Sequence, residues 1–184
     1  MLCGIGDPHN LGSIIRSSYF CGVDKVFTTD CIYEGMKSEP FLKSSSPLSP
    51  VVSKASSGVL EIFQPIHVND ATQFIKALQC KGLSIIGSGL NSDTSSKDNM
   101  QDRDTKLEKS DSETEKSQLL IIGNEGFGIP NNISKLCDKW IYLQPGRELD
   151  SDVDSLNVSV ATALLINSMK NLNLHSYVYD SDIN

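Results

Sequence analysis

The chain has 184 residues, enough for one good core and few for two. Its 39% hydrophobic and 21% charged content is ordinary for a globular protein, and no run approaches the roughly 20 apolar residues of a helical membrane span. The net charge of −7 counts against a nonspecific nucleic-acid binder, which would lean on Lys and Arg.

"LCGIG" is a short apolar strand ending at the turn "DPHN". This opening has neither the basic region of a signal peptide nor an Arg-rich transit face, and it starts with a strand under way. Either a trimmed chain or a catalytic domain whose N-terminal portion is absent is the expectation. Asn10 can cap a helix through "LGSIIRSSYFCG", with Ile14, Ile15 and Tyr19 or Phe20 on its apolar face and Gly22 as its stop. "DKVFTT" reads as the next strand, and "KSEPFLKSSSPLSP" as a Ser/Pro-rich loop. Ser49 and Pro50 open a short helix over "VVSKASS", and "VLEIF" reads as a strand. Asp70 and Gln73 have capping-box spacing ahead of the amphipathic "ATQFIKALQCKG", followed by the strand "LSIIGS".

Residues 91–118 hold eight acidic and five basic residues and almost nothing apolar, so they read as a flexible insertion within one domain spanning residues 1–184. The pattern resumes with "LLII", the turn "GNEGFGIP", a short helix opened by Pro130 and the strand "KWIYL". The loop "QPGRELDSDVD" and a final helix close the chain. The expected fold is α/β, a mainly parallel sheet with helices on both faces. Ligands in such sheets bind beyond the carboxyl ends of the strands, here the turns at residues 7–10, 87–89, 123–128 and 144–157.

Three stretches near those turns have chemical potential. In "NLGSIIR", Asn10 and Arg16 are either a cap and a surface cation, or a pair in which the guanidinium fork grips phosphate or ribose. "LLIIGNEGFGIP" is either an ordinary strand-to-helix turn or a close backbone approach to a ligand; it is neither a Walker loop nor GxGxxG. Glu125 within it disfavours phosphate and suits a neutral or cationic ligand, or a hydroxyl to be oriented. In "SLNVSVATALL", Leu156, Val160, Leu164 and residues 166–169 are expected in the core and Ser155 as a helix cap, while Asn157 has less structural need to be there. The five cysteines, Cys3, Cys21, Cys31, Cys80 and Cys137, lack CxxC spacing and the three histidines are scattered. They read as buried free thiols in a reducing compartment, not as a disulfide framework or a metal site.

Together and in order, these three stretches resemble the motifs of the SpoU/TrmH family of RNA ribose 2′-O-methyltransferases, within the SPOUT superfamily. The resemblance covers residues 6–170 apart from the polar insertion. "PLSPVVSKASSGVLEI" is most similar to the mitochondrial large-subunit rRNA guanosine 2′-O-methyltransferases. The resemblance implies a C-terminal trefoil knot that threads the last helix. It implies S-adenosylmethionine as donor, held by Gly87, Ser88, Gly123, Leu143, Gln144, Gly146, Ser155, Leu156 and Asn157, with Leu143 and Leu156 around the adenine. Arg16, Asn10, Glu125 and Asn157 become the catalytic set, with Arg16 steadied by the other three. RNA, most simply rRNA, becomes the partner, no metal is required, and the protein is a homodimer in the mitochondrion. The resemblance also implies an N-terminal RNA-binding domain of ribosomal-protein-L30-like type, which this sequence does not include.

Rival readings are methylation of a base, a tRNA 2′-O-methyltransferase of the same family, and a non-catalytic RNA-binding or assembly factor that keeps the fold. The acidic balance predicts that this domain alone binds RNA weakly.

Overall fold

The computed structural model describes residues 1–33, 41–89, 117–143, 145–146 and 155–174, with side chains up to residue 170 in the last helix. Gln144 and nearly all of the polar insertion lie outside the described residues.

Two three-stranded parallel sheets are joined edge to edge. In the first, β1 (Leu2–Cys3) pairs with β2 (Phe27–Thr29), and β2 with β5 (Ile66–His67). In the second, β6 (Ser84–Gly89) is flanked by β7 (Gln118–Ile121) and β8 (Lys139–Tyr142). A parallel bridge between Leu2 and Ile122, with Cys3 N donating to Ile122 O at 2.9 Å, ties β1 to the end of β7. The combined order is β5-β2-β1-β7-β6-β8.

Side chains alternate between two cores, as the strand period of two requires. Leu2, Ile86 and Ile122 face a core shared with α1 (Pro8–Phe20), α2 (Pro50–Ala55) and α5 (Val158–Leu174). Met1, Cys3, Ile85, Leu119 and Ile121 face the other, shared with α3 (Ala71–Cys80) and α4 (Asn131–Ser134). The near-continuous "LLII" run is what burial on both faces selects. Helices on both faces and a mainly parallel sheet are therefore observed.

Several local expectations are corrected. The Ser/Pro-rich stretch contains β4 (Phe41–Lys43), which forms an antiparallel hairpin with β3 (Cys31–Tyr33). "VLEIF" is not a strand: Val59–Glu61 forms a 3₁₀ turn after Gly58, whose φ is 82°, and buried Ser56 accepts the Leu60 N–H at 3.1 Å. Helix-type capping there overrides β propensity. The insertion ends before Gln118, which already belongs to β7. Phe20, at the end of α1, is 89% exposed and not in the core. Leu156, Val160 and Leu164 are also exposed, and Val158, Thr162, Leu165 and Ile166 supply the buried positions near α5 instead. Of the five free cysteines, Cys3, Cys31 and Cys137 are buried, Cys21 is half-buried and Cys80 is exposed. Among the described residues no helix is long and apolar enough to cross a membrane.

Candidate active site at the carboxyl edge of the sheet

The parallel strands β6, β7 and β8 end on the same side. The strand register brings Gly87 and Ser88, Gly123 and Leu143 toward one edge. Gly87 is a packing glycine: a Cβ there would stand 3.0 Å from Cys137 Sγ and from the Trp140 ring. Gly123 is demanded by the turn itself, since its Cβ would meet the Gly128 carbonyl carbon at 2.2 Å. Asn124 and Gly128 exchange backbone hydrogen bonds of 2.9 and 2.8 Å and close the loop. The glycines of "GNEGFG" thus serve chain-on-chain contact at this point. A Cβ on Gly146 would meet nothing, so that loop borders open space.

The closed loop presents Glu125 and is held from three directions. Asn124 Nδ2 donates to the Gly4 carbonyl at 2.9 Å. The Tyr33 hydroxyl donates to the Gly128 carbonyl at 2.9 Å, and burial pushes its phenol pKa up, so it stays a donor. Phe127 packs against Tyr33 and Phe41, with the Lys43 ammonium 5.1 Å from its ring centre. The sequence reading missed Asn124, Tyr33 and Phe127 as supports. The run of three glycines gave the only hint that this loop is fixed in shape.

Glu125 meets both other motifs. Asn10 Nδ2 donates to Glu125 Oε1 at 2.7 Å, and Asn157 Nδ2 donates to Asn10 Oδ1 at 3.0 Å. Asn157 Oδ1 in turn accepts from Ser159 N at 2.9 Å and Ser159 Oγ at 2.6 Å. Every donor in this chain points toward the Glu125 carboxylate, so the bonds polarise one another and fix both amides.

The capping roles differ from expectation. Asp7 caps α1, accepting the His9 N–H at 2.9 Å, so Asn10 lies inside the first turn with its side chain free for long-range use. Asn157, and not Ser155, has the cap geometry of α5: its side chain accepts from Ser159 N and its carbonyl from Ala161 N at 2.9 Å. Asn157 therefore works twice, starting the helix with its oxygen and reaching Asn10 with its nitrogen. Ser155 and Leu156 precede the helix on the surface, and Leu156 is 50% exposed.

Arg16 is not part of that network. Six residues along α1, it lies about 9 Å further up the axis and about 120° around from Asn10. Its Nη1 donates to Ser57 Oγ at 2.8 Å, and among the described residues it makes no ion pair with Glu125. Two features put Ser57 there. Gly12 lets α1 and α2 touch; a Cβ would stand 2.6 Å from Ala55 Cβ and 2.7 Å from the Val52 carbonyl oxygen. Ser57 itself has φ +53°, at the end of α2 where Gly58 N donates to Ser53 O and Ser57 N to Lys54 O. That is the left-handed helix-end position normally given to glycine. A serine kept there at a steric cost points to a use for its hydroxyl.

Fold and site define an α/β protein whose polar residues converge beyond the carboxyl ends of parallel strands. Its sequence matches the SpoU rRNA methylase family model over residues 1–167, and the chain belongs to that family. It is 33% identical over 170 residues to human "rRNA methyltransferase 1, mitochondrial", covering 92% of this chain and 44% of the human protein. The Saccharomyces cerevisiae protein of the same name is 36% identical over 172 residues, covering 90% and 39%. The chain thus spans less than half the length of these relatives. The fold is similar to that of the SpoU methyltransferase AviRb from Streptomyces viridochromogenes, solved in complex with the cofactor AdoMet, with TM-score 0.66 and 17% identity over 95% of this chain and 59% of that one.

Proposed function

We propose that this domain transfers a methyl group from S-adenosylmethionine to a ribose 2′-hydroxyl of RNA, a guanosine of mitochondrial large-subunit rRNA. The observation that carries this reading is the hydrogen-bond chain Glu125–Asn10–Asn157, which ties together three motifs 115 and 147 residues apart in sequence. Membership of the SpoU rRNA methylase family supports methyl transfer to RNA, and the names of the human and yeast relatives support rRNA and the mitochondrion.

The residues present fit the donor. Ser88 near the end of β6, with Gly123 and Leu143 just past β7 and β8 and Gly87 just inside β6, offers backbone donors and acceptors, which suit an adenine edge. Leu156, half-exposed before α5, and Leu143, packed on the core, offer apolar surface for the ring. Gly146, Ser155 and Asn157 complete the proposed set, with Gln144 between Leu143 and Gly146 in sequence. When bound, a sulfonium supplies an already activated methyl group, so the protein's task is orientation of the acceptor.

Arg16 is the cation of the site. A guanidinium keeps its proton at neutral pH, so its role is to hold the adjacent phosphate and stabilise alkoxide charge as it develops. Asn10, Glu125 and Asn157 form a rigid polar wall that orients the ribose by hydrogen bonds. Asn157 joins that wall directly to the helix that follows the donor-facing Leu156.

The same reading includes the family's trefoil knot at "DSLNVSVATALL", residues 154–165 in sequence, one catalytic domain over residues 1–184, and a homodimer. Exposed Phe20, Val160 and Leu164 on the mutually packed α1 and α5 support a dimer, because a second copy would cover them.

Calorimetric titration with S-adenosylmethionine tests the proposal, alongside Leu156→Arg. Binding by the parent and loss in the variant support it. A folded parent that binds no donor moves the weight to an RNA-binding factor that keeps only the fold.

A further inference from the structure

Beside Ser57 lies a groove of about 730 Å³ between the start of α2 and the 3₁₀ turn. It falls in the size range of small-ligand sites. Ser57, the residue whose hydroxyl accepts from Arg16, is part of its wall. Leu48, Pro50 and Leu60 supply apolar surface, and Lys54 and Glu61 supply one charge of each sign. Building on the methyl-transfer reading, we propose that this groove seats the target nucleotide of the RNA and that Glu61 selects guanine there.

The carboxylate is the informative feature. Phosphate esters are repelled by a nearby Glu, so Glu61 weakens any sequence-blind grip on RNA. It is also steadied: Ser53 Oγ donates to Glu61 Oε1 at 2.8 Å, and no ion pair among the described residues neutralises it. A carboxylate is acceptor-only, and its two oxygens have room for further donors beyond Ser53. Guanine presents two adjacent donors, N1–H and N2–H, on its Watson–Crick edge and matches that pair. Adenine and cytosine put a ring acceptor against the carboxylate, and uracil offers one donor between two acceptors. Lys54, the residue after Ser53, is placed in the same groove for a flanking phosphate. Arg16 then meets the nucleotide from the α1 side, where the Ser57 hydroxyl already orients it.

The test uses the full chain and two short single-stranded RNAs that differ only in a central guanosine or adenosine. Fluorescence anisotropy is expected to show a preference for the guanosine RNA of roughly tenfold or more. Glu61→Gln replaces two acceptors by one donor and one acceptor, which match adenine, so the ratio is expected to fall to unity or reverse. Lys54→Ala is expected to weaken both RNAs alike and flatten the salt dependence. An unchanged ratio in Glu61→Gln, no preference in the parent, or binding of neither RNA each overturns the proposal. Donor titration runs in parallel. A parent that ignores S-adenosylmethionine yet keeps a Glu61-dependent guanine preference counts against methyl transfer and for the groove.

Discussion

Ser57 separates stability from function in one residue. Its φ of +53° costs an L-residue roughly 1–2 kcal/mol relative to glycine. Its hydroxyl accepts from Arg16 at 2.8 Å on the surface, a bond to a charged donor that contributes about 1 kcal/mol in that setting. Ser57→Ala keeps the strain and loses the bond, so it is expected to lower stability by about 1 kcal/mol. Ser57→Gly loses the bond but relieves the strain, against about 0.5–1 kcal/mol of added freedom in the unfolded chain. The glycine variant is therefore expected to be as stable as the parent or nearly so, and more stable than the alanine variant. Methyl transfer by the full-length protein is expected to fall in both variants by roughly 10- to 100-fold, because Arg16 is no longer held. Thermal unfolding gives the stability order; transfer of labelled methyl to RNA gives the rate, with donor affinity unchanged as the control. A glycine variant of full activity would refute the reasoning and leave Ser57 as a helix end without a positioning role.

Gly12→Ala would drive a methyl group against Ala55 Cβ and the Val52 carbonyl, and is expected to cost about 1–3 kcal/mol, seen as a lowered unfolding midpoint. Asn157→Ala is expected to cost about 1 kcal/mol through the lost α5 cap. Asn10→Ala, which removes no cap, should cost less, with a coupling between the two of roughly 0.5 kcal/mol or more in a double-mutant cycle of unfolding free energies. Thiol labelling of the folded protein at pH 8 is expected to modify exposed Cys80 and spare Cys137, whose pKa burial and neighbouring Asp138 push up to about 11. The stability linked to the protonated Cys137 thiol is fully present below the unfolded value of 9 and is lost as pH rises through 11, measurable as a falling unfolding midpoint across that window.

The parts of this protein that were readable in sequence are those governed by neighbours along the chain. "LLII" had to be a strand buried on two faces, and Asp70 had to start α3, where it accepts the Gln73 N–H at 2.9 Å. The alternation of such elements gave the α/β class, and the order of three motifs gave the family. The short β4 escaped notice because strand character in "FLK" arises only once β3 lies beside it.

The candidate polar residues could be named from the sequence, but not their arrangement. A polar side chain has several partners within local reach, and sequence offers Asn10 a cap and Arg16 a carboxylate. The folded chain gives the cap to Asp7, frees Asn10 for Glu125 and Asn157, and turns Arg16 toward Ser57. It also exposes the 156/160/164 stripe that periodicity assigned to the core, because α5 buries Val158, Thr162, Leu165 and Ile166 instead. Sequence by itself determined most of the elements, the family and the chemical groups available, since these depend largely on local geometry and composition. Only the tertiary structure decided which groups touch, because those hydrogen bonds and helix contacts join positions from about forty to nearly one hundred and fifty residues apart, such as Arg16 with Ser57 (separation 41) and Asn10 with Asn157 (separation 147), and exist only after the chain has returned on itself.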